Sequence, residues 1–136
     1  MKIATLRRFI LLISCTSKDI APTEIVGKWA PTYMIQRKNS DGSWGAWGAI
    51  YTLIALPVVE FTSDGRFLSD GKSGANCCYA GNKYNYSGSK LVFTEFLNCP
   101  NVDCLSCGSY WDDVKIIGDT LIYTACSGRG KLVKTK

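Results

Sequence analysis

The chain has 136 residues, of which 16 are basic and 11 acidic, with seven cysteines and no histidine. The formal charge of +5 would suit nucleic acid, but such a groove needs clustered Lys and Arg interleaved with aromatics, and here the bases stand singly apart from the tail "GRGKLVKTK". Without histidine the commonest general base is missing, and no mixed Cys/His metal site can be completed.

At the start, "MKIATLRRFILLISC" carries Lys2, Arg7 and Arg8, then the apolar run Phe9 to Ile13, then Ser14 before Cys15. A basic segment, a short apolar segment and a small residue describe an export signal; a membrane span needs about 20 apolar residues. The four residues Leu12-Ile13-Ser14-Cys15 resemble the lipobox of bacterial lipoproteins, which implies cleavage before Cys15 and lipid on its thiol. The expected domains are a signal peptide over 1–14, a lipidated tether over 15–23 and a β domain over 24–136. Three basic residues sit in the leader and all 11 acids lie beyond it, so the remainder carries a formal charge of +2. One domain of this size buries roughly two thirds of its unfolded surface, enough for a core.

The first strand is expected within "EIVGKWAPTYMIQR", Glu24 to Arg37, where Trp29, Tyr33 and Ile35 fall at period two. Pro31 inside it belongs at an edge or a bulge. Residues 38–57, rich in Gly, Trp and Ala, read as a long irregular connection folded over a barrel mouth. Within it Trp44, Trp47 and Tyr51 either form an aromatic platform for a lipid, a glycan or a partner protein, or plug the barrel themselves.

Then the punctuation becomes regular. "PVVEF" and "RFLSD" flank Asp64-Gly65, "KYNYS" and "KLVFTEF" flank Gly88-Ser89, "YWDDVKII" and "DTLIYTAC" flank Gly118-Asp119, and "SGRG" leads into "KLVK". Each pair is a hairpin signal. The fold expected is all-β, an eight-stranded antiparallel up-and-down barrel. Its tight turns share one end and its long connections the other, so Cys77, Cys78, Cys99, Cys104, Cys107 and Cys126 collect at one rim.

These six cysteines admit zinc, thiol exchange or disulfides. Outside the cytoplasm an even count favours three disulfides. If Gly88-Ser89 is a two-residue loop, Cys78 lies across from Cys99, so Cys99 is expected to bridge to Cys77 or Cys78. Cys126 is expected to bridge to Cys107, and Cys104 to the remaining vicinal cysteine. The CxxC from Cys104 to Cys107 precedes no helical pattern, which argues against thioredoxin-like exchange. Glu60, Asp112 and Asp113 read as solvated strand charges, since adjacent strand residues face opposite ways and cannot serve one substrate. No cofactor, metal or catalytic set is expected.

"VGKW" at Val26 to Trp29, "EFTSDGRF" at Glu60 to Phe67, "KLVFTEF" near a cysteine and "IIGDTLIYTAC" at Ile116 to Cys126 together resemble the lipocalin-like lipoproteins of Bacteroidetes-type bacteria. The resemblance implies a non-enzymatic, lipid-anchored protein of the cell envelope, held in the outer membrane on its periplasmic or surface side. It also implies a barrel that takes a small apolar ligand at the cysteine-braced rim. The rival expectation is an envelope protein-interaction or structural module with a filled interior, including the lysozyme-inhibitor type of barrel.

Overall fold

A computed structural model describes residues 24–104, 108–126 and 128–136. The expected leader, tether and lipid site at Cys15, and also Cys107, lie outside the described residues. Ten strands follow in chain order: β1 (Gly27–Lys38), β2 (Trp44–Ala49), β3 (Val59–Phe61), β4 (Phe67–Ser69), β5 (Lys72–Ser73), β6 (Lys83–Ser87), β7 (Lys90–Thr94), β8 (Tyr110–Ile117), β9 (Thr120–Ala125) and β10 (Gly128–Lys134). All pairings are antiparallel, in the order β5-β4-β3-β1-β10-β9-β8-β7-β6, with β2 added to β1 beside this path. The sheet curls into a half-barrel, and its far ends touch at the bridge Arg66↔Lys83, where the Phe67 amide donates to the Asn82 carbonyl at 2.8 Å and Tyr84 donates to Gly65 at 3.0 Å.

Local sequence explains most of this. In "KYNYS" and "KLVFT" alternate residues are buried, Tyr84 and Tyr86 on one strand, Leu91 and Phe93 on the next. Period-two burial of aromatic and branched residues is what a one-faced strand demands. The hairpin register is Tyr84↔Phe93 and Asn85↔Val92, the one a two-residue Gly88-Ser89 loop dictates. Gly88 and Gly118 hold φ of 63° and 59°, the left-handed values such turns require.

Strand β1 has a double role. Its first residues pair β3, through Trp29↔Val59, and its later ones pair β2, through Gln36↔Trp47, while β10 lines its other side throughout. The change of partner coincides with a register break between Pro31 and Ile35, the bulge at which a proline is tolerated. Tyr33 within it has φ of 60°, so it leaves the period-two pattern that would set it beside Trp29 and Ile35.

The chain from Trp44 to Ala49 is therefore a strand and not part of an irregular connection. Small Gly and Ala residues conceal its β character in the sequence, whereas pairing with β1 supplies the order that propensity does not. The short β5 is a second addition to the eight strands expected.

The core consists of Ile25, Trp29, Phe61, Phe67, Tyr84, Tyr86, Leu91, Phe93, Val114, Leu121 and Leu132. Rings dominate it: Phe61 meets Tyr84 edge-on at 4.9 Å, Phe93 meets Phe67 at 4.9 Å and Trp111 at 5.5 Å. Edge-to-face contacts add about 0.5–1.5 kcal/mol each beyond area burial. The indole of Trp29, fully buried, donates to the Ile25 carbonyl at 2.9 Å, so its one polar atom is satisfied.

Candidate functional site

Four described cysteines form two bridges, Cys77–Cys99 and Cys78–Cys104, with Cα separations of 5.7 and 5.3 Å. Cys126 is also disulfide-bonded, with a partner that is none of these four, and the residue expected to pair with it, Cys107, lies outside the described residues. The hairpin register extended backward would set Cys78, not Cys77, opposite Cys99. The strand stops at Lys83, and Asn76 winds the chain before it into a turn, its side-chain oxygen accepting from the amides of Cys78, Tyr79 and Ala80. That turn frees the vicinal pair from strand alternation, and the two bridges clamp residues 95–104 to residues 76–80. A thiolate spent in a disulfide is neither a nucleophile nor a metal ligand.

Trp29, Phe61, Leu91, Phe93 and Leu121 are buried together in the core, and Trp111, stacked on Tyr123, meets Phe61 and Phe93 edge-on. Burial raises the ordinary phenol pKa of Tyr123, and burial together with the nearby charge of Asp64 pushes Tyr84 up to about 12. Tyr84 donates its hydroxyl to the Thr62 carbonyl at 2.7 Å. Among the described residues, three hollows flank the arm made by β1, β2 and β10: one of about 250 Å³ beside Ile35, Gly45 and Ile50, one of about 240 Å³ beside Arg37, Tyr123 and Gly130, and one of about 190 Å³ beside Gln36, Trp47 and Asp113. Ligand pockets usually enclose about 300–1,000 Å³.

The outward face of the arm carries a series of cations on aromatic rings. The Arg129 guanidinium lies 4.0 Å from the centre of the Trp44 ring, with the Lys38 ammonium at 5.4 Å, and Lys131 lies 4.2 Å from the centre of Trp47. Arg129 also stands 3.9 Å from the Asp113 carboxylate and 3.4 Å from the Gln36 side-chain oxygen. Asp113 occupies a bulge, with φ of 48°, between Asp112↔Thr124 and Lys115↔Ile122. Both Asp112 and Asp113 are exposed.

Trp44 and Trp47 thus share one strand and one set of cations, but Tyr51 does not join them. It begins a loop, 50–57, whose ring is 97% exposed, followed by Leu53, fully exposed, and Ile54, 81% exposed. Both feet of this loop rest on Tyr33: the Ile50 amide donates to its carbonyl at 2.8 Å and the Leu56 amide to its hydroxyl at 2.9 Å. The Thr52 hydroxyl donates to the Ile54 carbonyl at 2.6 Å.

The sequence reading missed Lys38, Arg129 and Lys131 as partners of the tryptophans, and Leu53 and Ile54 as exposed residues. Strand alternation in "GRGKLVK" already places Arg129 and Lys131 on one face, provided the strand is begun at Gly128. No family model, curated protein or solved structure matches the chain.

Proposed function

We propose that this chain is a lipid-anchored envelope module that works through its outer surface, with a filled interior and no small-molecule cargo. Cys15 would carry the lipid and residues 15–23 the tether. β1, β3, β4, β6, β7, β8, β9 and β10 would form a lipocalin-like eight-stranded barrel, with β2 as an outgrowth of its first strand. The observation that carries the reading is the contrast between two regions: aromatic rings are packed together in the core, whereas Tyr51, Leu53 and Ile54 stand uncovered outside. A monomer rarely leaves a contiguous apolar patch without a partner for it.

Two measurements test the reading. Titration with a fluorescent fatty acid is expected to show no saturable binding, and one-to-one binding displaced by an unlabelled apolar compound would return the interior to ligand duty. Intact mass of the protein taken from its native membrane fraction, alkylated before and after reduction, is expected to show an acylated chain beginning at Cys15. Six alkyl groups should be added only after reduction. An unacylated chain with open thiols would overturn the anchor.

A further inference from the structure

The loop 50–57 has a definite shape and no evident role in the fold. From Ser43 to Val59 the chain carries no charged residue. At the centre of that run Tyr51, Leu53 and Ile54 point into solvent, while Tyr33 holds both feet of the loop. We infer that this loop is a second membrane contact, inserting its tip into the headgroup and acyl boundary of an anionic leaflet.

Three features favour a bilayer over a protein as the occupant. A tip seated at the headgroup boundary leaves its own amides to water and headgroups, and the amides at its two feet, Ile50 and Leu56, and the carbonyl of Ile54 have partners within the chain. The Thr52 hydroxyl is spent on that carbonyl, which leaves the Tyr51 hydroxyl as the side-chain polar group of the tip for the specific hydrogen bonds of a protein interface. The adjoining strand then supplies what an interfacial segment carries at headgroup level: the rings of Trp44 and Trp47 with the cations Lys38, Arg129 and Lys131 over them. Among the described residues, Arg129 is the one of those cations with an acid in ion-pair range, Asp113 at 3.9 Å. Asp41 lies away from the loop, in the turn between β1 and β2.

The inference rests on the envelope reading for its setting, but its test does not depend on lipidation. The full chain with Cys15→Ser, which cannot be acylated there, is mixed with vesicles of phosphatidylethanolamine and phosphatidylglycerol. A second chain also carries Leu53→Asp and Ile54→Asp. Both positions are exposed, so folding should survive, as far-UV circular dichroism would show. Since the leader is common to both chains, the loop alone accounts for a difference, expected as binding weaker by more than about tenfold. In a third chain Leu53→Trp places a reporter at the tip, and brominated lipid should quench the added emission. Equal binding by the first two chains, or a Trp at position 53 untouched by brominated lipid, would overturn the inference. So would crosslinking of position 53 to an envelope protein in place of lipid, which would assign the loop to a protein partner.

Discussion

The rings of Trp111 and Tyr123 stack with centroids 3.9 Å apart and planes 18° from parallel, the only stacked pair among the described aromatic contacts of the core. Gly130 makes room for it. A Cβ added there would stand 2.5 Å from the Tyr123 ring, closer than real contacts allow. Gly130→Ala should therefore displace Tyr123 from Trp111 and cost about 1–3 kcal/mol, the usual range for overpacking. In a Tyr123→Ala background the same change should cost far less. Chemical denaturation of the four chains of this cycle measures the coupling, and additive losses would show that the glycine serves another purpose.

Removing the second bridge as a pair, with Cys78→Ser and Cys104→Ser, should lower stability by about 2–4 kcal/mol, because a closed loop is released into the unfolded chain. The sequence separation is 26 residues for this bridge and 22 for Cys77–Cys99. Loops of nearly equal length should give nearly equal losses. None of the bridged cysteines belongs to the buried core, so the long-wavelength tryptophan bands of the near-ultraviolet circular dichroism should match the parent while the disulfide's own contribution is lost.

Alkaline pH should unfold the protein through its buried phenols. Tyr84 ionises near 12 in the fold against about 10 unfolded, held up first by burial and then by the charge of Asp64. A folded pKa above the unfolded one leaves stability intact below about pH 10 and removes it as pH climbs toward 12. Burial raises Tyr123 and Tyr86 in the same direction, with Glu24 adding to the effect at Tyr86. Tyr84→Phe should flatten the alkaline loss of stability while costing about 1 kcal/mol near neutrality for the hydrogen bond to Thr62. Phenolate absorbance followed beside circular dichroism between pH 9 and 12 tests both.

Tyr33→Phe removes only the hydroxyl that accepts from the Leu56 amide. Hydrogen exchange at Leu56 should accelerate. The Ile50 amide, bonded to the Tyr33 backbone carbonyl, should keep its protection. Equal acceleration at both would mean that the ring, not the hydroxyl, holds the loop.

Arg129→Ala takes the guanidinium off Trp44 and away from Asp113. The ion pair is long and Asp113 largely exposed, so most of the expected loss, about 1 kcal/mol, belongs to the ring contact. A change in tryptophan emission without a change in secondary structure would accompany it.

The hairpins were legible because glycine turns and alternating aromatics act locally: nothing beyond Lys83 to Thr94 is needed to fix Tyr84 against Phe93. A bulge was legible from Pro31, but the part Tyr33 plays in it was not, since a tyrosine at positive φ carries no signal in its own letter and is held by partners at Ile50 and Leu56. Trp44 to Ala49 was hidden for the same reason, as a strand that its neighbour imposes. The bridges were half legible: hairpin topology brought the cysteine-bearing connections together, but the choice of Cys77 over Cys78 for Cys99 turned on the winding at Asn76. The exposed tip at Leu53 and Ile54 lay beyond reach, because an apolar run in sequence looks the same whether it is covered or not.

The fork in β1 makes the molecule modular. Beyond the Tyr33 bulge, β1 and β2 run out to a turn in which Asn39 donates its amide to the Ser43 carbonyl at 2.7 Å and Asp41 accepts from Ser43. None of residues 38–49 belongs to the buried core. A lineage, or an engineer, can lengthen, shorten or recode this arm at Ser40 to Gly42 while the other strands of the curled sheet keep their register, so the outgrowth can diverge faster than the body that carries it.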